Sequence, residues 1–146
     1  KRLSKVYRYI LEQSDNERIN LKTELEFVET YTFLLEIRFE DKLRIVVDIP
    51  EADQLRYSIA PLTLQLLVEN AVKHNQMSDE QPLLVYLQSR ENYLVVVNWI
   101  QPRPKNEPST GLGLQNIINR YKLLTENPVV IIEKDESFIV KIPFLP

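Results

Sequence analysis

The hydrophobic pattern predicts an α+β fold, a two-layer sandwich in which helices cover one face of a mixed, mostly antiparallel sheet. Three observations carry this. Helical and strand periodicities follow one another as two helices, two strands, a helix, two strands, a helix and two strands. Two of the strand pairs are consecutive and separated only by a short polar turn, the pattern of hairpins. The single glycine-bearing turn follows a proline-rich loop rather than a strand. It also lacks the GxGxxG and GxxxxGK(S/T) spacings, so neither a dinucleotide fold nor a P-loop fits.

Taken in order, Leu3, Val6, Tyr7, Ile10 and Leu11 repeat at helical spacing and give a first helix of about three turns. Ser14, Asp15 and Asn16 break it. Asn20 is an N-cap for a second helix reaching Phe39, with Glu24 and Glu26 favourable near its positive end. Its apolar side includes Leu21, Leu25, Val28, Leu35 and Phe39, widened by Phe27, Tyr31 and Leu34. A helix apolar over so much of its girth packs on two sides, against the first helix and against the main body.

Residues 43–49 are rich in β-branched side chains and read as a strand ended by Pro50. Residues 51–55 read as polar loop and 57–59 as a short strand. Pro61 then opens a helix over 61–75, PLTLQLLVENAVKHN. Strands over 83–88 and 93–99 are joined through residues 89–92. Residues 101–109, QPRPKNEPS, hold three prolines and no large apolar side chain, so they form an exposed loop. Leu114, Ile117, Ile118, Tyr121 and Leu124 mark another helix, stopped at Asn127 and Pro128. Residues 129–133 and 138–142 make a last hairpin turning at 134–136.

At 146 residues the chain is one ordinary domain with a small appendage. A net charge of −3 gives no electrostatic case for direct nucleic-acid binding. There is no cysteine and His74 is the only histidine, which excludes disulfides, thiol catalysis and multi-histidine metal sites. No apolar run approaches the ~20 residues that span a membrane. The chain begins inside a helical pattern and so reads as a piece of a longer protein.

The chemistry concentrates in two stretches. In the helix over 61–75, Leu64, Leu67, Val68, Ala71 and Val72 form one apolar stripe, while Asn70, Lys73 and His74 lie within roughly 100° of each other on another face. An amide, an ammonium and an imidazole together suit a polyphosphate and its metal; a solvated helix face is the plainer alternative. The second stretch is Ser109 to Leu114, STGLGL. Its glycines, Gly111 and Gly113, are the only two in the chain, where average usage predicts roughly ten. They sit just before a helix whose free N–H groups and positive dipole end favour an anion, and no acid occurs from Leu112 to Thr125. A tight turn that packs a helix onto the sheet is the alternative there.

Together the two stretches resemble the ATP-binding domain shared by sensor histidine kinases, DNA gyrase and mismatch-repair ATPases. LQLLVENAVKHN is similar to its N box and STGLGLQNIINRY to its second glycine box. The likeness is greatest to the LytS-like sensor histidine kinases, whose members often pair with response regulators carrying a LytTR DNA-binding domain. LSKVYRYIL and ELEFVETYTFLLEIRFEDKL also resemble that family's linker, so the likeness covers nearly the whole chain.

The resemblance implies a sandwich of the histidine kinase and gyrase ATPase type. Residues 1–40 would be a helical linker, a remnant of the dimerisation and phosphoacceptor hairpin, and 41–146 the ATP-binding catalytic domain. It implies ATP and Mg²⁺ as ligands, with Asn70 on the metal and Lys73 and His74 on phosphate or ribose. Thr110, Gly111, Leu112, Gly113 and Leu114 would hold phosphates, and 101–110 would be the ATP lid. It further implies transfer of the γ-phosphate to a histidine outside this chain, on the helical hairpin of the same kinase. The expected partners are a response regulator and a second copy in the full-length protein. The expected location is cytoplasmic, in a protein of the inner membrane.

Three departures qualify the resemblance. The usual Asp-x-Gly-x-Gly box, whose aspartate reads the adenine amino group, is replaced by Asn98, Trp99, Ile100 and Gln101. Asn98 either accepts that hydrogen bond through its amide oxygen or simply ends a strand; Trp99 either stacks near the base or packs. Gyrase-type ATPases place a water-activating glutamate one turn before the metal asparagine, and Leu66 stands there. Glu69 is the nearby acid, available for catalysis or for an i, i+4 salt bridge to Lys73. The phosphoacceptor histidine is absent. The competing function is a non-catalytic scaffold or binding module that keeps the fold and has lost the nucleotide.

Overall fold

The computed structural model describes residues 2–13, 17–101 and 112–146. Two helices lead, α1 (Arg2–Gln13) and α2 (Leu21–Phe39), with the two-residue strand β1 (Ile19–Asn20) between them. A 3-10 turn (Glu40–Lys42) passes into β2 (Leu43–Asp48), then α3 (Glu51–Arg56), β3 (Ser58–Ile59) and α4 (Thr63–His74). The hairpin β4 (Leu83–Arg90) and β5 (Tyr93–Trp99) follows, then α5 (Leu112–Leu124) and the hairpin β6 (Val130–Lys134) and β7 (Ser137–Pro143).

The main sheet runs β2-β4-β5-β7-β6, with β2 parallel to β4 and every other pair antiparallel. Alternation decides its faces. Leu83, Val85 and Leu87 of β4, Leu94 and Val96 of β5, and Val140 and Ile142 of β7 join Leu25, Val28, Leu64, Leu67, Ile117 and Tyr121 of the helices in one buried cluster. Each such side chain contributes about 1.5–3 kcal/mol by leaving water. The mixed, mostly antiparallel sheet with helices on one face is therefore the architecture found.

Asn20 caps α2 as expected, its side chain accepting from the Lys22 amide at 3.1 Å. Leu21, Leu25, Phe27 and Val28 are buried, and Tyr9 of α1 stacks on Phe27 with ring centroids 4.0 Å apart. Both hairpins close on two residues of positive φ, Glu91–Asn92 and Asp135–Glu136. That twist matches the strands, so β4 runs on to Arg90 rather than stopping at 88.

Four expectations change. Residues 51–55, read as loop, lie in α3. There Pro50 stands at the N-cap, Glu51 and Asp53 occupy the first turn, and the Gln54 side chain donates to the Ile49 carbonyl at 2.9 Å. β1 was not foreseen; it pairs antiparallel with β3 in a separate small sheet. α4 begins at Thr63, because Leu62 before it is left-handed at φ 68°. Gly113 lies inside the first turn of α5 instead of before it. The break at 14–16 and the loop at 102–110 fall outside the described residues.

Candidate functional site

A cleft of about 380 Å³ opens between α4, α5 and the end of the sheet, within the range of small-ligand sites. α4 builds one wall. With Leu64, Leu67, Val68 and Ala71 buried in the core, its helical period turns Leu66, Glu69, Asn70, Lys73 and His74 toward the cleft. α5 supplies Gly113, Leu114 and Ile117 on the other side. The asparagine and one of the paired glycines, forty-three positions apart in the chain, thus line the same space; Thr110 and Gly111 lie outside the described residues.

The floor comes from strand register. Asn98 of β5 is opposite Phe138 of β7, and Phe138 is opposite Glu133 of β6, so the three stand in one row across neighbouring strands. All three line the cleft. The buried Asn98 side chain donates through Nδ2 to the Trp99 carbonyl at 2.9 Å, which fixes the orientation of its amide at the cleft floor. Trp99, one position on, points to the opposite face by strand alternation. It is 53% exposed and borders a separate depression with Gln76, Gln81 and Glu136. Neither stacking in the cleft nor core packing describes it.

One further expectation shifts. Glu69 makes no salt bridge with Lys73; it accepts from Gln65 one turn earlier, at 2.7 Å. Leu112, expected to act through its backbone, has a side chain that is 60% exposed and outside the cleft lining. Gly113 has no left-handed backbone to justify it, and a Cβ added there would meet nothing within 4 Å. No described packing therefore requires glycine there, and Gly113 places the backbone of the first turn of α5 in the cleft wall. That turn contains no acid.

Contacts that sequence spacing does not give hold the end of the site. Asn75, buried at the C-cap of α4, donates to the Ala71 carbonyl at 2.8 Å and accepts from the Gln101 amide at 2.7 Å. Gln101 is held further by the Gln76 amide, which donates to its carbonyl at 2.7 Å, and donates its own side chain to the Gln76 carbonyl at 2.8 Å. The residue that leads into 102–110 is thus fixed to α4.

α4 and α5 are locked together at their other ends. The buried Tyr121 hydroxyl accepts from the Ala60 amide at 2.9 Å and hydrogen-bonds Thr63 at 2.8 Å; Arg120 donates to the Pro61 carbonyl at 2.9 Å. Burial pushes the Tyr121 hydroxyl up to about 12, so it stays a neutral bridge across the ordinary pH range. Glu24 of α2 reaches the same place, accepting from the Leu64 amide at 3.4 Å.

Comparison with known proteins fits this geometry. A family model described as "Histidine kinase" matches residues 1–43. The chain is 33% identical to the sensor histidine kinase YpdA of Escherichia coli strain K12, across 84% of this chain and 24% of that protein. It is 30% identical to the sensor protein kinase HptS of Staphylococcus aureus strain USA300, across 65% of this chain and 18% of that protein. By sequence the chain resembles the LytS-like sensor histidine kinases.

It spans about a quarter of the length of the first of these relatives. Solved histidine kinases share the fold. The ThkA catalytic domain superposes with a TM-score of 0.54 at 16% identity, covering 88% of this chain and 97% of that one. A histidine kinase from Burkholderia phymatum gives 0.55 at 15% identity, covering 88% and 70%. Among the described residues no helix is long and apolar enough to cross a membrane. Nor do three His, Cys, Asp or Glu side chains gather there as a metal site.

Proposed function

We propose that this chain is the ATP-binding catalytic part of a two-component sensor histidine kinase. Residues 41–146 form the catalytic domain and 1–40 the helical linker to a phosphoacceptor hairpin. One observation carries the reading: Asn70, Lys73 and His74 on α4 face the first turn of α5 across a single cleft with Asn98 at its floor.

The donor set fits the ligands. Mg²⁺ takes oxygen ligands and commonly completes its shell with water and substrate phosphates; the Asn70 amide offers one such oxygen. When bound, Mg-ATP supplies the γ-phosphoryl group and the metal offsets the negative charge of its phosphates. The protein's part is placement. Lys73 and His74 give positive or donor character to one wall. The open backbone at Gly113 and Leu114 offers N–H groups on the other. Asn98 Oδ1 accepts from an exocyclic amino group, as adenine has. Leu66 lines the cleft as a hydrocarbon and activates no water, so the γ-phosphate is conserved for a histidine acceptor. Glu69 is the one acid on α4 beside Asn70 and the candidate for assisting that acceptor.

The phosphoacceptor hairpin of the same kinase is the immediate partner, in a homodimeric parent on the cytoplasmic side of the inner membrane. A response regulator, of the LytTR type, takes the phosphoryl group onward. Titration calorimetry with a non-hydrolysable ATP analogue tests the core of this. Binding should be Mg²⁺-dependent in the wild type and lose that dependence in Asn70→Ala. No heat at millimolar analogue would leave a scaffold that keeps the fold alone. Phosphohistidine should form on an added fragment bearing the family's hairpin, and its absence in an associated complex would defeat the kinase assignment.

A further inference from the structure

A buried acid joins three helices. Glu24 of α2 is fully buried. Its Oε1 accepts from the Tyr9 hydroxyl of α1 at 2.5 Å, and its Oε2 accepts from the Leu64 amide of α4 at 3.4 Å. The backbone amides of Leu62 and Thr63 face it as well.

α4 has no cap of its own, since Leu62 stands at its N-cap with no side-chain hydrogen bond. The free N–H groups and positive end of a helix attract a carboxylate. Glu24 answers them from forty positions away. Leu62 is left-handed at φ 68°, not in the extended conformation from which a local Ser or Thr caps a helix, so the acceptor comes from elsewhere in the chain. What the distant glutamate adds is connection: α1, α2 and α4 share one carboxyl group. Tyr9 is carried by α1 and its ring stacks on Phe27 of α2 at 4.0 Å, so the packing of α1 on α2 sets where its hydroxyl meets Glu24. From Leu64 to the cleft residue Asn70 is six residues of rigid helix, about 9 Å.

We propose that Glu24 is a positioning residue which transmits the setting of α1 to the cleft face of α4, through Tyr9 on one side and the first amides of α4 on the other. The consequence for ligand affinity rests on the nucleotide reading of the cleft; the joint itself does not.

The test uses the ¹⁵N-labelled chain with Tyr9→Phe, Glu24→Gln and Glu24→Ala. Tyr93→Phe is the control, removing a hydroxyl that donates to the Pro128 carbonyl at 3.0 Å, away from the cleft. Two quantities are read: the Asn70 side-chain amide resonances without nucleotide, and the affinity for a Mg²⁺-bound non-hydrolysable ATP analogue. Tyr9→Phe should move the Asn70 resonances and weaken the analogue about fivefold or more, the lower range of ordinary site-to-site coupling. Glu24→Ala should do both more strongly. Glu24→Gln, which keeps an acceptor for the α4 amides, should recover most of the loss, and Tyr93→Phe should change neither quantity.

Unmoved Asn70 resonances in a folded Tyr9→Phe variant would overturn the proposal, as would a loss in Glu24→Gln as deep as in Glu24→Ala. Should the wild type bind no analogue, the nucleotide reading fails while the Asn70 resonances still decide the joint. Should Glu24→Ala not fold, Tyr9→Phe and Glu24→Gln carry the decision.

Discussion

Gly113 sits in a helix with open space where its side chain would project. Alanine there removes a helix-weakening residue, worth up to about 1 kcal/mol in a helix interior and less in a first turn. On the nucleotide reading, a methyl group at this cleft-lining position takes room from the ligand. Gly113→Ala should therefore match or exceed the wild type in urea unfolding while binding the ATP analogue more weakly. Equal affinity would show that nothing occupies that space. Glu24 allows a second prediction. Burial raises its carboxyl above the ordinary glutamate value, outweighing the hydrogen bonds from Tyr9 and the α4 amides that lower it. The folded state then holds the proton more tightly than the unfolded chain. The associated stability is fully present below the ordinary glutamate value and is lost as pH rises through the raised one. The titratable groups facing it, Tyr9 and Tyr121, are both shifted upward by burial, so they do not titrate in that window. The stability of the wild type relative to Glu24→Gln should fall with rising pH from the ordinary glutamate value upward, and a rising difference would contradict this sign.

At the scale of elements, α5 holds α4 through Tyr121. Tyr121→Phe keeps the ring in the core but leaves the buried Ala60 amide without its acceptor. The cost should be about 1–3 kcal/mol, read as a lower urea midpoint at unchanged slope. The elements legible in the sequence were those with a long period or a strong stop: α2 with its Asn20 cap, α4 with its stripe, and the two hairpins. α3 was missed because six residues carry too little periodicity to register. β1 escaped because a two-residue strand exists only through its distant partner β3. The parallel pairing of β2 with β4 was likewise unreadable, since α3, β3 and α4 intervene. In the cleft, the residues on one helix face could be found by spacing. Glu133 and Phe138 could not, because strand register alone brings them beside Asn98. Trp99 shows the same dependence on strand geometry, since alternation turns it to the face opposite Asn98. Glu24 was read as serving its own helix, whereas its carboxyl group is spent on another.

Across the whole molecule, ligand binding and folding are linked because the cleft walls are also core walls: Ala71 and Ile117 line the site and belong to the buried cluster. A ligand that binds only the folded chain at a hundred times its dissociation constant adds about 2.7 kcal/mol. For a chain of 146 residues each kcal/mol moves the melting temperature by about 2–4 °C. A saturating Mg-ATP analogue should therefore raise it by about 5–11 °C, and Asn70→Ala should remove the part that depends on Mg²⁺. The same wall composition separates a kinase from a hydrolase. A water attacking the γ-phosphate needs a base in reach, and the turn of α4 before Asn70 presents Leu66. Incubated alone with Mg-ATP, the chain should bind without steady release of phosphate. Sustained turnover would mean that Glu69 or another group activates water, and the site would then have to be reassigned to hydrolysis.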